Sequence, residues 1–160
     1  MLDLLIKNGS CYIDKDLKNC DIAINDGKIT EIGKINNEAE EIYDASNLTV
    51  LPGCIDTQTH FREPGSTDTE DLHSGSRAAI VGGITSVFEM PNTNPPTSNK
   101  TEFQRKLDLA KNRMYCNYAF YFGATADNSE DLASLKNLEG CWGIKLFAGS
   151  STGNLLVADE

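Results

Sequence analysis

The first fifty residues alternate apolar and polar positions in short runs broken by small polar pairs. Residues 3–7 predict a strand that ends at Asn8-Gly9, and residues 11–13 predict a second. Residues 21–24 and 28–32 flank Asn25-Asp26-Gly27, where Asp-Gly supplies the positive φ angles of a hairpin turn. Ile22 and Ile24 lie on one arm and Ile29 and Ile32 on the other, so one face of this hairpin is expected to be buried. An acidic excursion over residues 38–41 is followed by further strand at Ile42-Tyr43 and residues 48–50.

Beyond residue 50 the pattern changes. Val50 to Ile55 is an apolar run of the kind that forms a strand buried on both faces. It gives way abruptly to Asp56, Gln58, His60, Arg62 and Glu63, then a Pro64-Gly65 turn. With a side-chain period of two, Gln58, His60 and Arg62 are expected on one side of the chain. Thr69-Glu70-Asp71 can start a helix whose apolar side is Leu72, Ala78, Ala79 and Ile80, stopped by Gly82-Gly83. A second strand, 84–90, runs into the Pro- and Asn-rich segment 91–96. Ser98 is the expected N-cap of a helix in which Phe103, Leu107 and Ala110 fall at i, i+4 and i+7. A strand at 117–122, a helix at 129–138 carrying Leu132 and Leu135, and a strand at 142–147 complete the series.

Strands and helices thus alternate, which is the pattern of a parallel α/β sheet. The residues from Leu51 onward number about 110, against the roughly 250 of a closed eight-stranded barrel. The expected organisation is a small β-sandwich portion at residues 1–50 and the first half of a TIM-type (β/α)8 barrel at 51–160.

Composition narrows the function classes. Of 160 residues, 24 are acidic and 14 basic, for a net charge of -10. This argues against a nucleic-acid surface, which needs clustered Lys and Arg. The five cysteines, Cys11, Cys20, Cys54, Cys116 and Cys141, are odd in number and contain no CxxC pair, as expected of reduced thiols in a cytoplasmic protein. No basic, apolar leader is seen at the N-terminus, and no run approaches the ~18 apolar residues of a membrane span.

A buried strand ending in polar groups aimed one way resembles one wall of an active site at the strand's C-terminal mouth. His60 is one of two histidines and is either a metal ligand or a core imidazole. The other, His73, sits in a helical stretch and is given no role. Arg62 either pairs with Glu63 at the surface or presents a fork that grips a substrate carboxylate through two parallel hydrogen bonds. Asn92 is either turn chemistry or a substrate contact. Lys145 lies within an apolar strand, where an unpaired ammonium is costly. It either reaches the strand's edge or is an amine that takes up CO2 as a carbamate. The loop 149–153 lacks the lysine arrangement of a phosphate-binding loop and is read as an active-site loop.

The stretch Asp56-x-Gln58-x-His60-Phe61-Arg62-Glu63-Pro64-Gly65, with Met90-Pro91-Asn92 after the second strand, resembles the amidohydrolase superfamily and within it the dihydroorotase group. The likeness extends over nearly the whole chain, and that family opens with a similar small β-sandwich. In the family the strand ends in Asp-x-His-x-His, both histidines on metal. His60 matches the second, whereas Gln58 stands at the position of the first, with an amide oxygen in place of the stronger imidazole ligand.

The resemblance implies one or two Zn2+ ions with His60, Gln58 and a carbamate on Lys145 as this chain's metal-site residues. Arg62 and Asn92 are implied as binders of the substrate carboxylate. It implies a metal-dependent hydrolase of pyrimidine biosynthesis that interconverts carbamoyl aspartate and dihydroorotate. The alternatives are an allantoinase- or hydantoinase-type cyclic amidase, or a non-catalytic partner of aspartate transcarbamoylase. The general-base aspartate is expected beyond residue 160, so these 160 residues are expected to be inactive alone and the full-length protein to be a homo-oligomer.

Overall fold

The strands expected in the first fifty residues join one sheet. The computed structural model describes residues 1–149 and 155–157. It divides into two compact units, Met1–Pro52 and Gly53–Glu160. In the first unit lie β1 (Leu2–Ile13), β2 (Asp16–Asn25), β3 (Lys28–Gly33), β4 (Ala39–Asp44) and β5 (Thr49–Val50). Their order is β3-β2-β1-β4, with β5 also pairing β1.

Two expectations fail here for local reasons. β1 is one long strand, because Asn8-Gly9 makes a bulge and not a turn: the register with β2 slips between Ile6 and Gly9, and Asn8 takes φ 62°. The actual reversal falls at Asp14-Lys15, with φ of 54° and 69°, between the paired Ile13 and Asp16. Without a glycine, that turn left no signal in the sequence. Ile22 is buried as expected, but Ile29 and Ile32 are 61% and 47% exposed. β3 is an edge strand, and its register with β2 slips between Ala23 and Ile24, which defeats a simple alternation. The small core is Leu5, Ala23 and Ile35.

The second unit contains β6 (Cys54–Thr59), α1 (Leu72–Val81), β7 (Ile84–Glu89), α2 (Lys100–Ala110), β8 (Asn117–Gly123), α3 (Ser129–Leu132) and β9 (Cys141–Lys145). A 3-10 turn, Ala133–Asn137, continues α3 where one longer helix was expected. The four strands are parallel and stand in the order β6-β7-β8-β9. Sequential parallel strands with helical crossovers are the arrangement of a partial (β/α)8 barrel. Leu72, Val87, Phe103, Phe120 and Phe122 anchor its core, each burial contributing about 1.5–3 kcal/mol.

The first strand differs from its expected form. Val50 belongs to β5, β6 starts at Cys54, and Ile55 is 58% exposed, since among the described residues β6 pairs with β7 alone. The helix starts follow side-chain chemistry. Asp71 caps α1 in a capping box with Ser74. Asn99, not Ser98, caps α2, its Oδ1 accepting from the Glu102 amide at 2.9 Å. A Cβ on Gly75 of α1 would lie 2.5 Å from Phe61 Cδ1, so glycine there is what lets Phe61 enter the core beside α1.

Candidate active site

The site residues gather where β6 and β7 end. The Met90 amide donates to Thr59 O (2.9 Å), which ties the exit of β6 to the residue following β7. His60 and Asn92 are thereby brought together, and His60 Nδ1 lies 2.9 Å from Asn92 Oδ1. An amide oxygen only accepts, so this contact favours the tautomer with its hydrogen on Nδ1 and its lone pair on Nε2. His60 is half-buried. Burial lowers its pKa below the ordinary histidine value; the Asn92 bond opposes this, and the charges of Arg62, Lys145 and Lys106 add to the lowering. Burial and the neighbouring positive charges thus both disfavour the imidazolium form of His60.

The strand period that was expected to align Gln58, His60 and Arg62 stops at Thr59, so it carries no further than Gln58. Gln58 is exposed, and its backbone amide is held by Asp56 Oδ1 at 2.9 Å. Arg62 is exposed and forms no ion pair among the described residues. Its neighbour Glu63 is buried and turned elsewhere: Oε1 accepts from Arg113 Nη1 (2.8 Å) and Oε2 from the Leu72 amide (3.0 Å). The surface Arg62–Glu63 pair is therefore not formed. The loop is closed from the other side by the Asn94 amide, which donates to Pro64 O at 3.0 Å. Gly65 (φ 128°) packs there against Asn94.

Lys145 ends β9, half-buried, with Nζ 5.0 Å from the centre of the Phe147 ring. The dry apolar strand expected around it is not found, because Ile144 and Leu146 are 47% and 53% exposed. Residues 150–153 of the expected active-site loop lie outside the described residues.

The sequence pattern of the amidohydrolase family matches residues 49–148. The chain belongs to the amidohydrolase family. It is 38% identical to a dihydroorotase of Methanosarcina mazei over 162 aligned positions, covering all of this chain and 35% of that protein. It is equally 38% identical to an allantoinase of Escherichia coli, over 92% of this chain and 33% of that one. Among solved structures, the L-hydantoinase (dihydropyrimidinase) of Arthrobacter aurescens superposes with a TM-score of 0.88 at 28% identity, over 98% of this chain and 35% of that chain. The chain thus spans about a third of the length of these relatives.

The amidohydrolase strand ends also hold two residues that sequence reasoning passed over. Glu89, the last residue of β7, and Lys106 of α2 form an ion pair between Glu89 Oε2 and Lys106 Nζ, with side chains 1% and 0% exposed. Lys106 Nζ also donates to Met90 O at 3.0 Å. A signal was present: Lys106 falls three residues after Phe103, on the apolar stripe of its helix, where a lysine needs a partner.

The amidohydrolase family is generally metal-dependent. Among the described residues no group of three or more His, Cys, Asp or Glu could hold a metal ion. His60 alone brings an imidazole, Gln58 is a weak exposed donor, and Lys145 lies against Phe147. These residues do not by themselves fit a metal centre. No helix among the described residues is long and apolar enough to cross a membrane.

Proposed function

We propose that the protein to which this chain belongs acts on a cyclic amide that carries a carboxylate, with dihydroorotate as the ring and carbamoyl aspartate as its opened form. One observation carries the reading: Glu63 is withdrawn to Arg113 and the Leu72 amide, which leaves the adjacent Arg62 exposed and in no ion pair among the described residues. An arginine in that state offers a planar two-donor fork, and a carboxylate is its complement. The chain carries -10 overall, so Arg62 and Lys145, whose charges act on His60, are set against the general charge and favour an anionic ligand there, while the charge of Lys106 is spent on Glu89.

Arg62 grips the carboxylate and orients the ring. Asn92 holds the imidazole of His60 with its hydrogen on Nδ1, which keeps an electron pair available on Nε2. Lys145 contributes positive charge near the ring. No step is routed through a metal, since the described residues do not assemble one. The names of the M. mazei dihydroorotase and the E. coli allantoinase weigh equally by identity. The choice between their ring classes therefore rests on Arg62.

Dihydroorotate, allantoin and hydantoin offered side by side test this reading. Dihydroorotate is expected to be preferred, and Arg62→Met to lower its kcat/KM at least tenfold, about the effect of one lost charge-assisted pair. The same substitution should leave an uncharged ring within about twofold. A preference for allantoin or hydantoin that Arg62→Met does not change overturns the assignment.

A further inference from the structure

We propose that Glu89 and Lys106 are a positioning pair that fixes Asn92, and through Asn92 sets which nitrogen of His60 carries the hydrogen. The inference rests on the reading of His60 and Asn92 as site residues, but its geometry stands apart from any substrate.

The β7–β8 ladder ends at the pair Glu89–Phe120. The carbonyl of the next residue, Met90, has no strand partner, and a buried carbonyl without one is costly. Lys106 Nζ fills that place at 3.0 Å while pairing with Glu89 and lying 5.2 Å from the centre of the Phe120 ring. Met90 is then held at both backbone groups, its amide by Thr59 O and its carbonyl by Lys106. The next carbonyl, Pro91 O, accepts from the amides of Thr93 and Thr97, each at 2.9 Å. Asn92 sits inside this pinned turn, and its Oδ1 meets His60 Nδ1.

A pair chosen for stability alone would be poorly built. Glu89 Oε1 has no hydrogen-bond donor among the described residues, and a well-packed apolar pair is often as stable as a buried ion pair or more so. What an apolar pair cannot supply is the donor to Met90 O. The charge pair therefore does something that packing would not: it locks the turn that carries Asn92.

The test is long-range 1H–15N NMR of the two imidazoles at a pH where both are neutral, in the chain with and without substitution. His73, which contacts Tyr115 Oη through Nε2 at 3.3 Å, serves as the internal control. Wild type is expected to show His60 as predominantly the Nδ1–H tautomer. The apolar double variant Glu89→Leu/Lys106→Met is expected to unfold at a temperature near that of wild type. Its His60 tautomer ratio should fall about two- to tenfold, the factor that corresponds to one ordinary hydrogen bond, with His73 unchanged. Asn92→Ala removes no buried charge and should produce the same fall, and Lys106→Arg, which keeps a donor, should restore part of the ratio.

A folded double variant with the wild-type ratio overturns the proposal. So does an Asn92→Ala chain with the wild-type ratio, or a wild type with no preference between tautomers. Tautomer dependence in the chain, with a full-length protein that ignores carboxylated rings, would refute the proposed function and leave this inference standing.

Discussion

Asp21 of the first unit and Glu89 of the second are both buried carboxylates, and the two are treated in opposite ways. Asp21 of the first unit is 7% exposed; Oδ1 accepts from the Asn8 amide at 2.8 Å and Oδ2 from the Ile35 amide at 3.0 Å. Burial pushes its pKa up, but the two amides, helped by Lys7 and Lys34, overcome that and hold it below the usual value. Glu89 of the second unit is 1% exposed, faces a lysine, and has no amide at either oxygen among the described residues. Burial pushes it up to about 8 despite the attraction of Lys106 and Arg62, while Lys106 is pushed down by the same burial. Asp21 is a pin that joins the bulge at Asn8 to Ile35. Glu89 is held where it is at a cost, beside the residues of the site. A carboxylate satisfied by backbone amides belongs to the architecture, whereas one held against burial by a single lysine is a place to look for function.

The largest effect should come from breaking the second arrangement. Lys106→Met leaves Glu89 buried without its partner and should cost about 3–5 kcal/mol in urea unfolding. The same variant carries a pH signature. In wild type the Glu89–Lys106 pair holds one proton folded, whichever atom bears it, and one proton unfolded between the ordinary values of 4.5 and 10.5, so it adds no pH dependence there. With the lysine gone, Glu89 alone has a folded pKa raised above its unfolded value. Its contribution is then present below pH 4.5 and lost as the pH rises through the folded value, so Lys106→Met should be measurably more stable at pH 5 than at pH 8.

A smaller effect, of opposite sign in pH, is expected at Asp21. Asp21→Ala orphans the amides of Asn8 and Ile35 and should cost about 1–3 kcal/mol, seen as faster amide exchange in β1 and β2. Because the folded pKa of Asp21 is depressed, its contribution is present above 3.8 and is lost as the pH falls through the folded value. Asp21→Asn should therefore flatten the acid limb of unfolding for the first unit. The smallest effect concerns the helix that delivers Lys106: Asn99→Ala should cost about 1 kcal/mol by removing the α2 cap. Ser98→Ala, whose hydroxyl does not cap, should stay within about 0.5 kcal/mol.

Much of the second unit was legible in the chain because its period is regular. The strand at Ile84–Glu89, the helix through Phe103, Leu107 and Ala110, and the stop at Gly82 all follow from spacing and end chemistry. The first unit was less so. Its bulge at Asn8-Gly9 carries the same residues as a turn, and its true turn at Asp14-Lys15 places non-glycine residues at positive φ.

At the site, His60, Arg62 and Asn92 stood out by residue type and position, but their partners did not. The contact of His60 with Asn92 joins residues 32 apart, and that of Glu63 with Arg113 joins residues 50 apart. Local pattern holds no information at that range. The Arg62–Glu63 pairing is the one that chain neighbours suggest, and it fails because Glu63 turns to the half-buried Arg113, just past α2, and to the Leu72 amide at the start of α1.

Arg62, which forms no ion pair among the described residues, is proposed to take a carboxylate, and calorimetric binding of dihydroorotate against dihydrouracil, the same ring without the carboxylate, tests this most directly. The account predicts that dihydroorotate binds at least tenfold more tightly, about the contribution of one charge-assisted pair, and that Arg62→Met erases the difference. Equal binding of the two rings, or a preference that survives Arg62→Met, would contradict it.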